Sequence, residues 1–165
     1  KRYFEIIDAL QQENSCMVDL IDLANAYDGL GHAYSKSDKY EDAEEYYQKS
    51  LSCKERAEPL NGLGLIYKKQ SKYRKAIEYF QRALSNTDNP SDRGQIYANL
   101  GHSYQSLGRY SEALDAYQKD LEIAQKLRIP ESEGRAYYHL GSSFIELDSY
   151  QQGIKFCKEI GRAHV

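Results

Sequence analysis

Tryptophan is absent from this chain of 165 residues, methionine occurs once, and proline and cysteine occur three times each. Scarce proline leaves room for uninterrupted helices, because an internal proline removes a hydrogen bond and clashes with the preceding turn. The cysteines, Cys16, Cys53 and Cys157, are odd in number, far apart and without ligand-spaced partners. That excludes a disulfide framework or zinc motif and reads as small apolar filler in a reducing, cytoplasmic compartment. No apolar run approaches the roughly 20 residues that span a bilayer, and no basic start, apolar core and small-residue cleavage site mark a secretory signal. An excess of basic charge is lacking too. Lys and Arg number 22 against 25 Asp and Glu, for a net charge of −3, which excludes the electrostatic footprint of a nucleic-acid-binding protein.

Tyrosine, by contrast, is abundant at 16 residues, and charged residues make up 28 %, with the signs mixed. Mixed charge reads as solvated helix surface. The tyrosines belong to an internal repeat. Leu-Gly recurs at Leu30-Gly31, Leu63-Gly64, Leu100-Gly101 and Leu140-Gly141. Counting from each Leu, position −3 holds Tyr27, Leu60, Tyr97 or Tyr137, and +4 holds Tyr34, Tyr67, Tyr104 or Phe144. Position +10 is Tyr40, Tyr73, Tyr110 or Tyr150; +13 is Ala43, Ala76, Ala113 or Gly153; +17 is Tyr47, Phe80, Tyr117 or Cys157. The first set is one stripe of a helix and the second, ending on Leu51, Leu84 or Leu121, is another. Short polar breaks between them, with Gly108 suited to a left-handed helix end, make each unit a helical hairpin. The small residues at +1 and +13 let the two helices approach closely, and the tyrosines fill the space beside them as core residues.

These residues resemble the tetratricopeptide-repeat (TPR) family over about residues 24–158. The resemblance implies an all-α, right-handed superhelical solenoid of antiparallel hairpins. The units expected are 16–56, 57–89, 90–129 and a truncated 130–158. Residues 1–15 read as the second helix of a preceding repeat, with Ser15 capping a first helix that starts near Cys16. Spacing between units grows from 33 to 37 to 40 residues, and the additions are expected around residues 86–90 and 127–130, with Pro90 and Pro130 in the first turn of the next helix. The chain starts at Lys1 rather than at a methionine, neither end shows a polar cap, and residues 159–165 are similar to the translation of a sequencing-library adapter. The expectation is a fragment with a scar after Lys158.

In TPR proteins the first helices line a concave groove that takes an extended or helical segment of a partner. Mapped by position, this implies a partner-binding groove of Asn25, Asp28 and His32 in the first unit and Asn61, Lys68 and Lys69 in the second. Gln95, Asn99 and His102 follow in the third, and Arg135, Tyr138 and His139 in the fourth. The Lys-Asn-Asn-Lys-Arg clamp of chaperone-tail-binding TPR domains would fall on Asn61, Leu65, Asn99, Arg135 and His139, where only Asn99 and Arg135 fit. The segment Gly134–Gly141 with Ala98–Gly101 resembles the long-repeat Pins family of spindle-orientation adaptors, in which Asn and Arg at these groove positions hold an extended partner. The reading is therefore a protein-interaction scaffold or adaptor that binds a protein or peptide ligand. The alternative is a regulatory TPR module of a larger signalling enzyme or motor complex. Catalytic residues, metal sites and cofactors are not expected: the histidines sit in separate units, and no phosphate loop or nucleophile motif occurs. An RNA-reading solenoid would place matching base-selective side chains in each unit, and the groove positions here differ between units.

Overall fold

The computed structural model describes residues 3–5, 7 and 20–163. Ser15 and Cys16, the expected start of the first helix, lie outside them, as do His164 and Val165. Residues 3–5 and 7 are helical. The rest forms eight helices: α1 (Leu20–Lys36), α2 (Tyr40–Cys53), α3 (Ala57–Lys69), α4 (Tyr73–Ser85), α5 (Pro90–Ser106), α6 (Tyr110–Leu127), α7 (Pro130–Glu146) and α8 (Tyr150–Ala163). They pair as antiparallel hairpins stacked in a right-handed superhelical solenoid. First helices of neighbouring hairpins also touch, α1 with α3 and α3 with α5. The stack is therefore tightest on the side of the first helices, and that side is the concave one.

Every hairpin turns the same way. The +8 residue has a positive φ in all four: Asp38 57°, Ser71 58°, Gly108 71° and Asp148 55°. The next amide returns to the +4 carbonyl, as in Lys72 N to Tyr67 O at 2.8 Å and Arg109 N to Tyr104 O at 2.9 Å. The +8 amide returns to +5, as in Gly108 N to Gln105 O at 2.9 Å. This is the Schellman ending, which satisfies the last carbonyls of the first helix. Sequence identified it only at Gly108, because three units place Asp or Ser where glycine is the usual signal. The +10 tyrosine then starts the second helix each time.

The Leu-Gly stripe packs against the +17 side chain. A Cβ on Gly31 would lie 2.7 Å from Tyr47 Cδ1, and one on Gly101 would lie 2.5 Å from Tyr117 Cε1. Only a residue without a Cβ admits an aromatic ring that close. Tyr47 is also seated from the next hairpin, by Gly62. Phe80 and Tyr117 are fully buried, as are Ala43, Ala76 and Ala113 at +13. One continuous cluster joins Ala43, Tyr47, Leu60, Leu63, Phe80 and Leu100, and Tyr104 links it to a second built on Tyr117, Leu121 and Leu140.

The longer spacing departs from expectation in one respect. The additional residues do not sit only in the connections: α5 and α7 have 17 residues against 13 in α3, and α6 has 18 against 13 in α4. They are absorbed as extra helical turns, because the added stretch before Leu127 contains Ile123 and Ala124, which continue the apolar stripe. Pro90 and Pro130 open α5 and α7 as expected, and Asn89 accepts from Ser91 N at 3.0 Å. No helix of the described residues is long and apolar enough to cross a membrane.

Candidate functional site

The concave face is built by α1, α3, α5 and α7, so groove residues from different repeats can meet although they are more than thirty positions apart. The structure brings together one group across α3, α5 and α7. Lys68 is half-buried, and its Nζ donates to Asn99 Oδ1 at 2.5 Å. Burial lowers the Lys68 pKa, since a charged ammonium loses solvation there. Next to it stands His102, whose pKa is lowered by burial and then by the charge of Lys68. His139 lies flat on the buried Tyr117 ring, 4.8 Å between centroids and 9° from parallel. Burial pushes His139 down to about 4, and the charges of His102, Arg135 and Lys68 push the same way. Burial and the neighbouring positive groups thus favour the neutral form of both imidazoles.

The ring packing follows from the repeat. Position −1 is glycine in the second hairpin, where Gly62 seats Tyr47. In the fourth it is His139, whose flat ring occupies the equivalent place against Tyr117. Tyr138 beside it is 59 % exposed, with its ring edge-on to His139 at 5.3 Å. Gln105 ties the floor together: it accepts from Tyr117 Oη at 3.0 Å and donates to Ser142 Oγ at 3.3 Å.

The remaining positions go elsewhere. Asn25 and Asp28 are engaged by Arg56, whose Nη1 donates to Asn25 Oδ1 at 2.7 Å and whose Nη2 pairs with Asp28 Oδ2. Burial still raises the Asp28 pKa against a hydrogen bond with Ser50 and the charge of Arg56. His32 is exposed further along α1. Asn61 lines a cleft of about 190 Å³ between α3 and α5 with Glu58, Asp92 and Gln95, and its Oδ1 is buried without a hydrogen bond. Lys69 points away from the cluster, 3.5 Å from Asp38 Oδ1 and over the Tyr40 ring. Gln95 is exposed between two clefts.

Two polar residues escaped the sequence reading. Arg56 stands in the three-residue connection before α3, where nothing in the repeat marks it. Asp120 is 2 % exposed on α6, with its Oδ2 3.6 Å from Arg135 Nη2 and without a hydrogen bond. Burial raises its pKa to about 6, against the opposing charge of Arg135. The available signal was a lone carboxylate directly before Leu121 in an apolar stripe. Among the described residues no group of three or more His, Cys, Asp or Glu has the arrangement to hold a metal ion.

A family model described as a tetratricopeptide repeat matches residues 22–89 and again 92–159, and a second of the same description matches residues 61–121. Among solved structures, BtubC (BKLC) from P. vanneervenii is similar with a TM-score of 0.88 at 22 % identity, covering 98 % of this chain and 70 % of that one. A crystal structure of MamA is similar with a TM-score of 0.78 at 22 % identity, covering 98 % of this chain and 84 % of that one. Likeness at this identity shows the fold. No curated protein sequence matches the chain.

Proposed function

The chain belongs to the tetratricopeptide-repeat family, a family of protein-interaction scaffolds, and on that premise we propose that it binds an extended or helical segment of a partner protein along its concave face. The centre of the site is Lys68, Asn99, His102, Arg135 and His139. The observation that carries this reading is their convergence from three successive first helices, with His139 held neutral by burial and by the charges around it. A carboxylate or carbonyl-rich segment laid across them relieves that repulsion and accepts their N–H donors. The Pins-like pair Asn99 and Arg135 belongs to the same patch and supports an adaptor role. The units proposed are 16–56, 57–89, 90–129 and 130–158, and the cysteine pattern supports a cytoplasmic setting.

The test is a peptide array probed with the chain and with Asn99→Ala plus Arg135→Ala. Truncating a charged hydrogen bond costs about 1.5–3 kcal/mol, so capture of the selected peptides drops at least tenfold in the double variant. Unchanged capture would move binding to the convex face or the connections. A steep salt-dependent affinity for RNA would instead favour a nucleic-acid ligand.

A further inference from the structure

Between α5, α6 and α7 lies a cleft of about 170 Å³, lined by Ser91, Gln95, Asp120, Ile123, Ser132 and Arg135 among others. Its polar centre is unusual for a solenoid interior. Asp120 is a carboxylate 2 % exposed with Oδ2 lacking any hydrogen bond, and the Arg135 guanidinium stands at 3.6 Å, beyond hydrogen-bond reach. The ion pair leaves this buried oxygen without a hydrogen bond, so a ligand that supplies an N–H donor is favoured there.

The charges decide which ligand. A cation drawn to Asp120 meets Arg135, and an anion drawn to Arg135 meets Asp120. A carboxamide offers N–H donors and a carbonyl acceptor on one neutral plane, and so answers both groups at once. Ile123, Ala124 and Leu127 supply an apolar wall for the stem that carries it. Gly94 leaves the approach open: a Cβ there would lie 3.4 Å from Asp120 Oδ1 and 3.2 Å from Ile123 Cγ2. We propose that this cleft is a carboxamide subsite, taking the side-chain amide of a glutamine or asparagine of a bound protein with N–H toward Asp120 and C=O toward Arg135.

The probes are propionamide, propionate and propionamidinium, three small molecules of one shape and three charges, titrated into the chain while the amide resonances of Gly94, Gln95 and Arg135 are followed by NMR. Propionamide shifts these signals with an affinity at least about fivefold above the two ions. Asp120→Ala abolishes the difference. Gly94→Ala adds a methyl against Asp120 Oδ1 in a helix that alanine favours, and it weakens propionamide binding in a folded protein. Equal response to all three probes, response to none, or unchanged propionamide binding in both variants overturns the proposal. The readout uses no peptide, so its failure and that of the groove reading are separate results.

Discussion

The third and fourth hairpins share a backbone and differ in what fills it. Both turn through a left-handed +8 residue, Gly108 or Asp148, and both start the second helix on a tyrosine. In the third, Gly101 and Ala113 let α6 close on α5, and Tyr117 is completely buried. In the fourth, Ala and Tyr are replaced by Gly153 and Cys157, and Cys157 is exposed although its Sγ still faces Gly141. Tyr150 and Ile154 of α8 are 55 % and 48 % exposed. A different ring pair takes over, Phe156 stacked on Phe144 at 5.3 Å. The register of a hairpin thus follows the Leu-Gly stripe and the turn, which both share, whereas how deeply its two helices bury one another follows the +17 side chain.

Removing that side chain gives the largest contrast. Tyr117→Ala is expected to cost about 3–5 kcal/mol, as for other large aromatic truncations in cores. Cys157→Ala, at an exposed position, is expected to cost less than about 1 kcal/mol. Urea unfolding compares the two directly. Filling the seat instead of emptying it comes next: Gly101→Ala drives a methyl into the Tyr117 ring and costs about 1–3 kcal/mol.

The stacked imidazole makes the third hairpin's core sensitive to pH. His139 binds its proton near 6.5 in the unfolded chain and near 4 in the folded one. Between those values the unfolded state holds more protons, so this contribution to stability is complete above pH 6.5 and falls as the pH drops toward 4. Solvent reaches part of the ring, which limits the loss to about 1 kcal/mol. Asp120 acts oppositely: raised to about 6 from 3.8, it takes up its proton first in the folded protein and adds stability over the same fall. His139→Gln therefore removes the acid-side loss and leaves the Asp120 gain, which denaturation at pH 7 and pH 5 resolves. The turns have small effects as well, the smallest at Asp148. Gly108→Ala costs about 1 kcal/mol at its positive φ. Asp148→Gly stays within about 0.5 kcal/mol of neutral, because the relief of backbone strain is offset by loss of the Tyr150 Oη hydrogen bond to Asp148, 2.6 Å long.

Most of this fold was legible in the sequence because the repeat states it several times over: the Leu-Gly stripe, the +10 tyrosines and the two helix-opening prolines each fall where the structure has them. What was hidden depends on single residues. Asp38, Ser71 and Asp148 adopt the conformation for which glycine is the signal, so the polar breaks marked turns but not the left-handed residue that closes these three. Lengthened helices and inserted loops add the same number of residues to the spacing, so α5, α6 and α7 could not be told from longer connections. Groove position alone did not separate Lys68, which reaches Asn99, from its neighbour Lys69, which turns to Asp38. Arg56 and Asp120 lie off the first helices, and only the stacking of hairpins brings them to Asp28 and Arg135.

The concave face is the central claim, and NMR shift mapping with a peptide selected from the array tests it most directly. The reading predicts that the largest perturbations fall on Lys68, Asn99, His102 and His139, with second-helix positions away from the groove, such as Gln81 and Lys119, unmoved. Perturbations centred on those second helices, with the four concave residues silent, would contradict it.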